Sequence, residues 1–170
     1  SGAAVLVATH HGLFRVPAAG GDPVAVGELR HDLMGFTVAD DDRLLASGHP
    51  DLRADLPAHL GLVESRDGGA TWTPVSLLGE ADFHALDASG DRVAGQDAIT
   101  GRLLGSRDGG RTWTPLRAPG PLVDIALHPS DRRRLVASTR AGLHASEDAG
   151  ATWSRLAGPP GLLAWPAPER

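Results

Sequence analysis

Ser106-Arg107-Asp108-Gly109-Gly110-Arg111-Thr112-Trp113 is the middle of three copies of one pattern, Ser-x-Asp-x-Gly-x-Thr-Trp. The first copy runs Ser65-Arg-Asp67-Gly-Gly69-Ala-Thr71-Trp72, and the third runs Ser146-Glu-Asp148-Ala-Gly150-Ala-Thr152-Trp153. Their tryptophans are spaced by 41 and 40 residues, and a worn fourth copy starts at Gly12-Leu-Phe-Arg-Val without the Asp or the Trp. A period near forty matches a four-stranded propeller blade, with helical solenoids as the competitor. The local chemistry rejects helices. Asp-Gly-Gly and Asp-Ala-Gly are hairpin-turn sequences, because glycine reaches positive φ without steric cost. Flanking runs such as Leu135-Val-Ala-Ser-Thr139 are short and apolar, as strands are. The expected fold is therefore all-β: a β-propeller of antiparallel four-stranded blades.

Each residue of the pattern has a mechanical role. The Asp carboxylate accepts hydrogen bonds from turn N–H groups, and the Ser and Thr hydroxyls fasten the two sides of the hairpin. Gly supplies the left-handed residue, and Trp fills space between sheets. Ser65, Asp67, Gly69, Thr71, Trp72, Ser106, Asp108, Gly110, Thr112, Trp113, Ser146, Asp148, Gly150, Thr152 and Trp153 are read as structural, not catalytic.

Composition narrows the function. The chain has 170 residues with 22 Gly and 13 Pro, which suits many short elements joined by tight turns. Its formal charge is −5 and no cluster of Lys or Arg stands out, so a nucleic-acid partner is not expected. No apolar run reaches the length of a membrane span, and no leader pattern stands at the Ser1-Gly2 start. Cysteine is absent, which removes disulfides and thiolate metal sites. Arg greatly outnumbers Lys, a composition expected of a high-GC bacterial genome.

Aligning the repeats orders the strands. Inner strands are expected at 33–38, 82–86 and 122–127, and second strands at 5–9, 44–47, 92–95 and 135–139. A third strand runs into each repeat turn and a fourth follows each Trp. Leu162-Leu-Ala-Trp165 reads as one more inner strand, so blades are expected at 1–30 (completed by 161–166), 31–77, 78–117 and 118–158. Four blades is the low end for a propeller. Closure at four, a segment of a larger propeller, and self-association of two copies all remain open as ways to cover the edges.

The same alignment sorts loops. The loops entering inner strands and those joining second to third strands share one rim, with the repeat turns on the opposite side. That rim collects His10, His11, His31, Asp32, His49, Asp51, Asp55, His59, Glu80, Asp82, Gln96 and Asp97, with His84 just inside. It also carries the long insertion Gly48-His-Pro-Asp-Leu-Arg-Ala-Asp-Leu-Pro-Ala-His59, and long irregular loops in compact domains tend to carry function. A ligand-binding rim of His10, His11, His31, His49, Asp51, Asp82 and His84 is expected.

The three repeats resemble the Asp-box (BNR) proteins, a group that includes sialidases, xyloglucanases, sortilin-type receptors and a photosystem II assembly factor. Thr-His-His-Gly-Leu-Phe (9–14), Leu-Met-Gly-Phe (33–36), Ser-Gly-His-Pro-Asp-Leu-Arg (47–53) and Glu-Ala-Asp-Phe-His-Ala-Leu (80–86) look more narrowly like bacterial exported BNR-repeat proteins, often labelled glycosyl hydrolases. The resemblance implies a propeller and an extracytoplasmic location: secreted, periplasmic or cell-surface. It transfers no reaction.

Three chemistries bear on the rim. Sialidases use a Tyr nucleophile, and this chain has no Tyr. Other glycoside hydrolysis needs two carboxylates flanking a cleft, for which Asp51, Glu80 and Asp82 are the catalytic candidates. Only seven aromatic residues exist, four Trp and three Phe, and three Trp belong to the repeat turns, which argues against a sugar platform. His10, His11, His31, His49 and His84, with Asp51 and Asp82, offer imidazole and carboxylate ligands suited to Zn or Cu, and Met34 a thioether for copper. No Gly-x-Ser-x-Gly elbow or phosphate-cradling loop is present. The sequence therefore favours a non-catalytic module that binds a protein, small-molecule or carbohydrate ligand, with a glycoside hydrolase and a metal-binding propeller as alternatives.

Overall fold

The structure, a computed structural model, describes residues 4–40 and 42–165. These residues form strands and turns and no helix. The strands are β1 (Ala4–Thr9), β2 (Gly12–Pro17), β3 (Val24–Val26), β4 (Asp32–Asp40), β5 (Arg43–His49), β6 (Leu62–Ser65), β7 (Thr73–Ser76), β8 (Phe83–Ser89), β9 (Arg92–Asp97), β10 (Leu103–Ser106), β11 (Thr114–Leu116), β12 (Leu122–Leu127), β13 (Leu135–Thr139), β14 (Gly142–Ser146) and β15 (Ser154–Leu156). They form four antiparallel meanders, ordered β1-β2-β3, β4-β5-β6-β7, β8-β9-β10-β11 and β12-β13-β14-β15. The chain divides into two compact units, one ending at Phe83 and one starting at His84. The first unit holds the first two sheets, and the second holds the last two apart from Phe83, the first residue of β8.

Each unit has its own core. In the first, Leu13, Leu33, Leu44, Ala46, Leu60 and Val63 cluster, with Phe36 and Trp72 packed against them. In the second, Ala85, Ala94, Leu103, Ile125, Leu127 and Leu135 do the same, with Leu116 and Trp153 against them. Along β5, Leu44, Leu45, Ala46 and Ser47 are all buried, so both faces of this strand are covered. A strand covered on both faces reads as a continuous apolar run instead of an alternating one.

The three repeat turns share one hydrogen-bond pattern. The Ser65 hydroxyl accepts the Gly69 N–H (2.8 Å) and donates to Asp67 Oδ1 (2.7 Å). The other Asp67 oxygen accepts the Thr71 hydroxyl (2.6 Å), while Oδ1 also accepts the Thr71 N–H (3.0 Å). Ser106, Asp108, Gly110 and Thr112 repeat this arrangement, as do Ser146, Asp148, Gly150 and Thr152. The Thr152 hydroxyl and N–H, then Ser146, hold the Asp148 carboxyl down to about 2. The equivalent bonds, Thr first, keep Asp67 and Asp108 well below the usual carboxylate range. Each turn places two successive residues at positive φ: Gly68 and Gly69, Gly109 and Gly110, Ala149 and Gly150. Ala149 tolerates φ 62° at a position where the other copies use glycine. Replacing Ser146 by Ala strips the Gly150 N–H of its acceptor. The expected loss is about 1–3 kcal/mol in urea-induced unfolding, and an unchanged midpoint would remove the hydroxyl from the account of this turn.

Leu162–Trp165, expected as an inner strand, forms no strand among the described residues. This stretch is tethered beside the last sheet instead. The Ser138 hydroxyl accepts the Gly161 N–H (3.0 Å), and Asp124 accepts the Leu163 N–H (2.7 Å). Ser47 likewise accepts the N–H of Phe83, the first residue of β8 (2.8 Å). Residues 1–3 and 166, expected in the composite first blade, lie outside the described residues.

Candidate functional site

Strand pairing creates the first element of the rim site. β4 and β5 pair so that Asp32 stands opposite His49. A bulge between Leu33 and Gly35 bends β4 just past this pair. Gly48 allows the close approach. It lies at φ 138°, and a Cβ there would collide with the Asp32 carbonyl oxygen and come within 2.9 Å of the Met34 nitrogen.

The insertion after β5 supplies the second element. Asp51 anchors it by accepting the Arg30 N–H (2.6 Å), the Arg53 N–H (2.9 Å) and the Arg53 guanidinium (2.6 Å). The Arg53 side chain, then its N–H and that of Arg30, holds the Asp51 carboxyl well below the usual carboxylate range. The loop returns to the rim where the Leu60 N–H reaches the Gly48 carbonyl (2.8 Å) and the Gly61 N–H reaches that of Ala81 (3.1 Å). This return sets His59 beside His49, with ring centroids 5.5 Å apart.

The result is a linked set of side chains. Asp32 Oδ1 meets His10 Nδ1 at 2.7 Å, and Asp32 Oδ2 meets His49 Nδ1 at 3.2 Å. His49 Nε2 stands 3.6 Å from the Asp82 carboxylate, which is only 6% exposed. Ligand atoms of His49, His59 and Asp82 all lie within 4.8 Å of one another. His59 Nδ1 is buried and has no hydrogen-bond partner. The Asp32 contact holds His49 Nδ1 and leaves Nε2 facing Asp82. At 3.6 Å the Nε2–carboxylate separation is longer than a hydrogen bond. Two ligands on a tetrahedral zinc stand about 3.3 Å apart, given metal–ligand distances of about 2.0–2.2 Å. The His49–Asp82 separation is close to that edge.

The remaining expected residues fall elsewhere. His31 is buried, and its Nδ1 accepts the Asp51 N–H (2.9 Å). Burial lowers the His31 pKa, opposed by the Asp51 charge, so the ring stays neutral as an acceptor needs. His11 is exposed, with its backbone N–H on the Thr9 hydroxyl (3.0 Å). Met34 is half-buried in β4, and Glu80 is exposed in the turn before β8. His84 is exposed on β8 in the second unit. Of the expected metal ligands, His49 and Asp82 join the cluster, and His59 was missed as a ligand. Its sequence signal was only a histidine closing a long insertion.

No protein-family model and no curated protein matches this chain. Solved structures do. The GH74 enzyme of Niastella koreensis superposes with a TM-score of 0.67 at 15% identity, over 92% of this chain and 28% of its own. An ancestral GH74 enzyme gives 0.62 at 14% identity, over 92% of this chain and 22% of its own. YCF48, in a complex with D1 peptide, gives 0.56 at 19% identity, over 90% of this chain and 43% of its own. The fold is that of a β-propeller. The chain spans less than half the length of each of these propellers, one kind enzymatic and the other peptide-bound. At such identities the likeness is one of fold.

Proposed function

We propose that this propeller is a non-catalytic binding module, and that His49, His59 and Asp82 hold a divalent metal ion on its ligand-binding rim. The observation that carries this reading is the His49 ring: tied to Asp32 through Nδ1, it aims Nε2 at Asp82. A histidine oriented by a carboxylate behind it is the usual support of a metal-ligating imidazole. Two imidazoles and one carboxylate suit zinc, and a thioether, which would favour copper, is not part of the set. Three protein ligands leave a fourth position open, where a bound zinc would accept a donor atom from a peptide or a small molecule. The catalytic alternative has less support. Asp51 is tied up as a charged acceptor of Arg53 and Arg30, and Glu80 is exposed in a turn. The extracytoplasmic setting implied by the resemblance belongs to the same proposal.

The test is zinc titration of tag-free protein by calorimetry, alongside metal analysis. One zinc per chain is expected. Affinity should fall by about 10–100-fold in Asp32→Asn, which disturbs the support of His49 and the His10 contact but removes no ligand, and by more in His59→Ala. His59 separates a metal from a mere proton: a protonated His49 held between Asp32 and Asp82 has no need of it. Zinc binding that is absent, or unchanged in His59→Ala, would refute the site.

A further inference from the structure

The second unit contains a cavity that stands out when blades are compared position by position. Leu44 pairs with Ser65, Val93 with Ser106 and Leu135 with Ser146, so these sites are equivalent in three sheets. The residue before each strand partner is an arginine: Arg43, Arg92 and Arg134. The residue before each serine is Glu64, Gly105 or Ala145, and the one after it is Arg66, Arg107 or Glu147.

In the first unit the three positions form a closed arrangement. Glu64 receives Arg43 Nε at 2.8 Å and Arg66 Nε at 3.4 Å. In the last sheet the acid has moved to Glu147, and Arg134 lies over the Trp165 ring, 5.8 Å from its centroid. The β8–β11 sheet keeps both arginines, Arg92 and Arg107, but has glycine where the carboxylate stood. Arg92 is 7% exposed, and its hydrogen bond is a long one to the Asp131 carbonyl (3.3 Å). The nearby acids are engaged: Asp91 pairs with Arg132 (2.7 Å), Asp131 accepts the Arg133 N–H (2.9 Å), and Asp87 accepts the Leu127 N–H (2.7 Å). Burial lowers the Arg92 pKa, and Arg132 and Arg107 add to this against the opposing charges of Asp131 and Asp87. A cavity of about 330 Å³ opens here, lined by Arg92, Gly105, Arg107, Arg132, Arg133 and, on its apolar side, Leu116.

We propose that this cavity binds a carboxylate ligand, which takes the place that Glu64 occupies in the first unit. A guanidinium fork pairs with a carboxylate through two parallel hydrogen bonds, and a buried arginine gains most from such a partner. The volume admits a small organic acid or one acidic side chain of a peptide. The apolar wall at Leu116 accommodates the carbon chain behind the carboxylate. The site is separate from the His/Asp rim and does not depend on a metal there.

The experiment measures thermal unfolding and calorimetric binding of the full chain at fixed ionic strength. The probes are succinate, a capped tripeptide with a central Glu, and inorganic phosphate. Saturable binding of succinate or the peptide is expected, at least about tenfold tighter than phosphate. Arg92→Gln should weaken it about tenfold or more. Gly105→Glu supplies the carboxylate within the chain, so it should raise Tm without ligand and abolish the response. For this, Leu116 must turn aside, since a Cβ at 105 lies 2.8 Å from its Cδ1. Succinate alone or the peptide alone binding identifies the source of the carboxylate. Silence with both, equal binding of phosphate, or an undiminished response in Gly105→Glu overturns the proposal. Gly105→Glu decides the matter even where Arg92→Gln fails to fold.

Discussion

Replacing Glu64 by Gln is expected to destabilise the protein by about 3 kcal/mol at neutral pH. The Arg43 side chain is 7% exposed and sits 2.8 Å from the Glu64 carboxylate. Removing one charge of a buried pair costs up to about 3–5 kcal/mol, because the remaining ion keeps its desolvation penalty. Glu64 is 22% exposed, so the lower end of that range applies. Glutamine keeps the volume and an acceptor, which isolates the charge. The pH dependence gives a second check. Burial alone would raise the Glu64 pKa, but Arg43 and Arg66 outweigh it and leave it below its ordinary value. A lowered native pKa means stability that is present above the unfolded carboxylate range and is lost as pH falls through the native value. The gap between wild type and Glu64→Gln should therefore shrink on acidification towards about pH 3. Urea unfolding at both pH values tests this. A gap under about 0.5 kcal/mol at pH 7, or one that persists unchanged in acid, would reduce the pair to a surface contact.

That prediction gives the Arg92 cavity its energetic meaning. The same arginine position is paired in one sheet and stacked on an aromatic ring in another, but lacks both supports beside Gly105. Of the two buried arginines at this position, Arg43 has a carboxylate partner and Arg92 has none, which is a local inconsistency. Such inconsistencies concentrate at functional sites, where stability is given up for binding.

The parts of this molecule legible in sequence are those whose interactions stay local. In each repeat turn the bonds among Ser, Asp, Gly and Thr span at most four residues, so the motif carries its own geometry. Sheet registers follow, because a hairpin fixes the pairing on both its sides. The rim was partly legible: His49 ends β5 and Asp82 stands just before β8, positions that the repeat alignment assigns to one rim. His59 was not, since its position depends on how residues 50–61 fold back, through the Asp51 knot and the Leu60–Gly48 and Gly61–Ala81 hydrogen bonds. The expected strand at 162–165 failed for a related reason. An apolar run becomes a strand only with a ladder partner, and here the side chains of Ser138 and Asp124 take the N–H groups of Gly161 and Leu163. The repeat aligns Gly105 with Glu64, but the acid's absence gained meaning only from the Arg43–Glu64 pair, which joins different strands.

Trp153→Ala is the other large effect, about 3 kcal/mol or more of lost stability. Trp153 packs against the second unit's core cluster, and its Nε1 donates to the Arg117 carbonyl at 2.7 Å. Removing a packed indole loses its transfer energy and leaves a hollow that neighbours refill only in part, about 3–5 kcal/mol for a fully buried Trp. Trp153 is half-buried, which moves the expectation to the bottom of that range. Trp153→Phe separates the two contributions: the ring remains and the N–H goes, so the loss should be about 1 kcal/mol for the hydrogen bond together with a small packing defect. Thermal or urea unfolding of both variants measures the split. If Trp153→Ala melts with the wild type, the tryptophan is ornamental and the repeat is held by its turn alone. If Phe is as damaging as Ala, the hydrogen bond to Arg117 outweighs packing, and the indole acts as a clasp between the last repeat turn and the chain after β11.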